Sequence, residues 1–68
     1  MNEHTRRIVE WLQRHPDVQS YVTPVGNLPL AERARMLRTA AGNARPELMG
    51  VDFEAVDWEG AVRDLDSN

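Results

Sequence analysis

A chain of 68 residues without a single cysteine has few ways to hold itself together. At this size folding removes only about 60% of the surface that the unfolded chain exposes. Domains this small are usually reinforced by disulfides, a structural metal or a partner chain. The absence of cysteine excludes disulfides and thiolate metal sites together. What remains is one thin core, and association with another chain as the available reinforcement. The length allows one domain, residues 1–68, and leaves little room for a core plus a deep catalytic pocket.

Hydrophobic periodicity places that core on helices. Over residues 3–15, Ile8, Val9, Trp11 and Leu12 fall on one face at 100° per residue. Glu3, Arg7, Glu10 and Arg14 fall opposite, with Glu3–Arg7 and Glu10–Arg14 at the i,i+4 spacing that stabilises helices. Pro16 ends this helix, since the residue before a proline is pushed out of the α region. It can also open a short second helix, residues 16–22, burying Val18, Tyr21 and Val22. The run Thr23-Pro24-Val25-Gly26-Asn27 is a loop by composition. Asn27 or Leu28 then caps a third helix, with Pro29 in its first turn and Gly42 just past its end. Leu30, Ala34, Leu37 and Ala41 share a narrow, alanine-rich face that permits close approach of another helix.

Beyond residue 43 the pattern weakens. Pro46 opens a single turn that would point Leu48 and Met49 inward, and Val51–Ala55 alternates briefly enough to be extended. Asp57 is the expected N-cap of a last helix carrying Trp58, Ala61, Val62 and Leu65 on one side, supported by Glu59–Arg63 at i,i+4. The last three residues should fray. No alternating run is long enough to build a sheet. The expected fold is all-α, a small bundle of three to four short helices.

Charge divides the chain unevenly. Residues 1–45 carry seven arginines against Glu3, Glu10, Asp17 and Glu32, a balance of +3; residues 46–68 carry Arg63 against seven carboxylates, a balance of −6. The 1–42 part is therefore mildly basic and helical, and the 43–68 part acidic and aromatic-containing. Such asymmetry implies either self-complementary packing of the two parts or an acidic surface offered to a basic partner. No apolar run approaches the roughly 20 residues needed to cross a bilayer. The N-terminal residues lack the apolar stretch of a secretory signal, so the expected compartment is the cytoplasm.

Motifs for chemistry are sparse. His4 and His15 are eleven positions apart on the first helix, roughly 16 Å at its rise per residue, too far to share a metal ion. Neither Ser20 nor Ser67 sits in a glycine-flanked elbow, and the four glycines form no phosphate-cradling run. No catalytic, metal or cofactor residues are expected, and no cofactor. The tripeptide His15-Pro16-Asp17, between two expected helices, is similar to the loop tripeptide through which J-domains engage a chaperone ATPase. The resemblance covers those three residues, and the preceding helix mixes Glu10 with Arg14 where that family has a strongly basic face. Read from the residues, the tripeptide is a proline stop with Asp17 near a helix N-terminus, where its charge meets the dipole.

Two stretches point to recognition. Phe53 and Trp58 are large apolar anchors set among Asp52, Glu54, Asp57 and Glu59, within a short repeat of Val-Asp-aromatic-Glu. Aromatic anchors ringed by charge characterise interface hot spots, although the same residues also serve a small core. On the third helix, Arg35 and Arg38 lie about 60° apart, while Arg33 projects about 140° from Arg38 and about 160° from Arg35. That is no phosphate-binding stripe, and a pair of arginines gripping carboxylates is the more natural use. The sequence therefore implies a small non-enzymatic protein-interaction module or regulator, such as an adaptor, an inhibitor or an antitoxin-like protein. Its expected contact residues are Phe53, Glu54, Asp57, Trp58, Glu59, Arg35 and Arg38, its partner a protein with a basic surface, and its state a homo-oligomer or hetero-complex. The alternatives are a DNA-binding regulator using the 29–41 helix, with nucleic acid the less favoured partner, or a structural subunit of a larger complex.

Overall fold

Asn2 starts the first helix, α1 (Glu3–Gln13), by accepting a 2.7 Å hydrogen bond from the Thr5 amide. The Asn2 side chain also donates to the Ala55 carbonyl at 2.7 Å, so the cap ties α1 to a distant segment. In the computed structural model, which describes residues 1–24 and 26–67, the chain is all-helical: four α-helices, two 3₁₀ turns and no strand among the described residues. The apolar stripe of α1 buries Ile8, Val9, Trp11 and Leu12 as its periodicity requires. Thr5 is buried with them, and its hydroxyl accepts from the Asp57 amide at 2.9 Å. The helix stops at Gln13, two residues before the expected 15. Neither expected i,i+4 side-chain pair forms among the described residues: Arg7 donates to the Met49 carbonyl at 2.7 Å, and Arg14 reaches the Glu10 carbonyl rather than its carboxylate.

Pro16 occupies the first position of α2 (Pro16–Tyr21), where its missing N–H is harmless. Val22 is fully buried and Val18 half-buried, but Tyr21 is 48% exposed, against the expectation that all three turn inward. Tyr21 lies about 100° from Val22 around the axis, outside the stripe that so short a helix can bury.

The third helix, α3 (Leu30–Asn43), begins one residue later than expected. Pro29 precedes it in extended geometry, and no side chain caps it; the Pro29 carbonyl accepts from the Glu32 and Arg33 amides. Gly42 lies inside the helix, not beyond it. The good helix formers Ala40 and Ala41 carry the helix through this glycine, and it ends where Pro46 could not supply the next amide donor. Ala34, Leu37 and Ala41 are buried along its inner face, with Leu30 half-buried.

Between α3 and the last helix the chain makes two 3₁₀ turns, Arg45–Leu48 and Phe53–Ala55. Leu48 is buried as expected, but Met49 is 77% exposed: the turn has ended, and successive side chains diverge. Gly50 follows with a positive φ of 88°, packed so close to the Arg7 guanidinium that a Cβ would lie 3.2 Å from it. The 51–55 stretch is not the strand its alternation allowed. Asp52 is extended, but its carboxylate accepts from the Glu54 amide at 3.0 Å and curls the chain into the second 3₁₀ turn.

Asp57 caps α4 (Trp58–Asp66) as expected, accepting from the Gly60 amide at 2.9 Å. Ala61 and Val62 are fully buried, with Trp58 and Leu65 at the core's margin. The core therefore sits where α3 packs along α4 and α1 crosses α4, closed by Val22, Leu48, Phe53 and Val56. Among the described residues no helix is long and apolar enough to cross a membrane.

Candidate functional site

The charges of α3 show how the two halves of the chain are joined. The Arg33 side chain, 14% exposed, donates from Nε to the Val22 carbonyl at 2.7 Å. Its two terminal nitrogens grip Asp66 at 2.8 and 2.7 Å, and one also reaches the Thr23 hydroxyl at 3.3 Å. This fork fastens the end of α4 to α3 and to the exit of α2. The hydrogen bond from Arg33, reinforced by its charge, holds the Asp66 carboxyl below the ordinary carboxylate range, and the pairing raises the Arg33 pKa in turn. Arg38 makes a second link, to Glu54 at 2.8 Å. Self-complementary packing of the basic and acidic parts is thus a property of the fold itself.

The residues singled out on α3 and on the 53–59 stretch meet on one face. An open groove of about 420 Å³ runs between α3 and α4, with Ala31, Ala34 and Val56 as small apolar lining. Trp58 stands in it, and Arg35, Arg38 and Arg63 stand around it with Asp57 and Glu59. Five of the seven expected contact residues line this groove. The other two support it. Phe53 lies in the core, 7% exposed, and meets Trp58 edge-on at 5.2 Å between ring centroids. Arg45 lies over the Phe53 ring, 4.3 Å from its centroid. Glu54 holds Arg38, whose guanidinium lies 6.0 Å from the Trp58 ring centroid, at the edge of cation–π range.

Trp58 is fixed rather than loose. Its indole nitrogen donates to the Phe53 carbonyl at 3.1 Å, and Phe53 packs against its ring. At the first position of α4, Trp58 is half-buried, lining the groove with Ala31 and Ala34. Sequence reasoning missed Ala31 and Arg63 as groove residues. Ala31 lies outside the narrow buried face, and Arg63 was noted only as the partner of Glu59. The missed role of Arg33 follows from a contact across 33 positions that no local pattern encodes.

Two other hollows offer less. A more open one of about 550 Å³ is lined by Gln19, Ser20, Thr23, Leu65 and Asp66, whose carboxylate is already held by Arg33. A smaller one of about 240 Å³ lies between α1 and the first 3₁₀ turn. There His15 donates from Nδ1 to the Trp11 carbonyl at 2.8 Å, and its Nε2 lies 3.2 Å from Glu47. The Trp11 indole N–H is sealed from solvent and has no hydrogen-bond partner among the described residues. His4 is far from this pair and accepts from the Asp52 amide at 3.1 Å. Among the described residues, no three His, Cys, Asp or Glu side chains are grouped to hold a metal ion.

No protein-family model, curated protein or solved structure gives a significant match to this chain. The functional reading rests on the groove.

Proposed function

We propose that this protein is a non-enzymatic interaction module that receives a segment of a partner protein in the groove between α3 and α4. The observation that carries the reading is Trp58: a partly buried indole, immobilised by Phe53, that lines the groove together with Ala31, Ala34 and charged side chains. Immobilised aromatic anchors at the centre of a charged rim are what interface hot spots are made of. Because the ring is already held, a partner that covers it loses little rotamer entropy on binding. The alanines leave room for a partner side chain to lie beside the indole. Among the described residues that line the groove the side chains are alanine, valine, tryptophan, arginine and two carboxylates, of which Asp57 is occupied as a helix cap, a set that supports a contact surface.

The DNA-binding alternative draws on the same helix but loses two of its three arginines to carboxylates within the fold, Arg33 to Asp66 and Arg38 to Glu54. The remaining cation, Arg35, is too little for a phosphate-tracking surface. The test is affinity capture from the native source on the intact chain and on an Ala31→Tyr variant. Ala31 is exposed and lines the groove, so a bulky side chain there should obstruct docking without touching the core. Proteins retained by the native chain and lost on the variant support the reading; an identical set on both refutes it.

A further inference from the structure

We propose that the segment taken by the groove is acidic: an apolar side chain seated against Trp58, flanked by carboxylates that reach Arg35 on one helix and Arg63 on the other. This rests on the groove reading above and adds the sign of the partner, which is opposite to what the acidic composition of residues 46–68 implies.

The rim's cations and anions are unequally engaged within the fold. The Arg35 side chain is 77% exposed and that of Arg63 64% exposed. Their nearest carboxylates, Glu32 and Glu59, stand 3.7 Å away, beyond hydrogen-bonding distance. Among the described residues neither guanidinium makes a hydrogen bond. Two planar forks, one from each helix, therefore face the groove with their donors unmatched, and such forks suit bidentate contact with carboxylates.

The anions are differently placed. Asp57 accepts from the Gly60 amide and caps α4, so diverting its carboxylate to a partner would uncap the helix. Glu59 lies in the first turn of α4, where the helix dipole favours its charge. Glu54 is bonded to Arg38 at 2.8 Å. Asp57 and Glu54 are thus hydrogen-bonded within the fold, and Glu59 has only its loose approach to Arg63, so the rim offers two arginines and one carboxylate without a hydrogen bond among the described residues. A basic partner would find only Glu59 free of an internal hydrogen bond, whereas an acidic one would meet both Arg35 and Arg63. The chain's net charge of −3 repels an acidic segment at long range, so capture depends on contacts inside the groove and not on steering.

The test is selection of a random peptide library, displayed on phage, against the intact chain, with counter-screening on Ala31→Tyr. The expected result is a set of peptides that need Ala31 and carry Asp or Glu around an apolar residue. Their affinity should fall at least roughly tenfold on the Arg35→Glu, Arg63→Glu double variant, each exposed pair contributing a factor of a few. The Arg35→Gln, Arg63→Gln protein, which adds no repulsion, should lose less, and matched far-UV circular dichroism establishes that both remain folded. Ala31-dependent peptides that are basic or uncharged would overturn the acidic partner and leave the groove standing. A library that yields no Ala31-dependent peptide would overturn both.

Discussion

Breaking the Arg33–Asp66 fork tests whether the two charge-segregated parts of the chain hold each other in place. The pair is bidentate, at 2.7 and 2.8 Å, with Arg33 largely enclosed and the Asp66 side chain 45% exposed. Solvent screens a half-exposed carboxylate, so the pair belongs near the top of the range for surface ion pairs, about 1 kcal/mol. Arg33→Met should cost more, about 2 kcal/mol, because it also removes the bond to the Val22 carbonyl. In a domain this size 1 kcal/mol corresponds to roughly 4–8 °C in Tm. A cycle of Arg33→Met, Asp66→Asn and the double variant, followed by urea unfolding at pH 7, should therefore show a coupling of about 1 kcal/mol. The sign of the pH dependence follows from the depressed Asp66 pKa. The stabilisation is fully present above the unfolded carboxyl's value, about 3.9, and is lost as pH falls through the lower folded value. The uncharged amide of the Asp66→Asn variant resembles a protonated carboxyl, so native and variant proteins should differ at neutral pH and converge in acid. Zero coupling at pH 7, or a gap that does not narrow below about pH 4, would refute the clamp.

Two further perturbations probe the helices. Gly42→Ala places a Cβ in open space inside α3 and should stabilise the domain by about 0.4–1 kcal/mol, whereas Gly60→Ala sets its Cβ against the Asp57 carboxylate and displaces the cap, offsetting the same gain. Paired thermal melts check this, and equal shifts for the two variants would remove Asp57 as the cap that matters. Leu37→Ala removes a fully buried side chain from the centre of α3 and should cost about 2–5 kcal/mol, a large share of the roughly 3–10 kcal/mol that a domain of this length commands. Its circular dichroism melt should shift down steeply or lose cooperativity, and a loss under about 1 kcal/mol would place the centre of the core elsewhere.

What could be read from the sequence was what is local. The buried faces of α1 and α3 are set by side chains three and four positions apart, and Asp57 as a cap by one side chain and an amide three residues on. The all-helical fold follows from these. The 44–56 segment was poorly legible because its conformation is decided from outside. Asn2 binds Ala55, Arg7 binds Met49 and His4 binds Asp52, each across more than forty positions. Those contacts anchor the segment on α1, while the short-range Asp52–Glu54 bond, which alternation does not reveal, curls 53–55 into a 3₁₀ turn. The groove was half legible: aromatic and charged candidates could be picked from two separate stretches, but their convergence is a consequence of α3 packing on α4. So is the enclosure of Phe53, which became support for Trp58.

The same packing explains why a small domain leaves an indole half-covered. Ala34 and Ala41 let α4 approach α3 closely enough to bury Ala61 and Val62 completely. Trp58 stands at the very start of α4, where its ring packs on the margin of the core and not at its centre. There Phe53 meets the ring edge-on and the Arg38 guanidinium lies 6.0 Å from its centroid. An indole held in one orientation at the margin of the core, beside two arginines that make no hydrogen bond among the described residues, is where the proposed partner would gain its contacts.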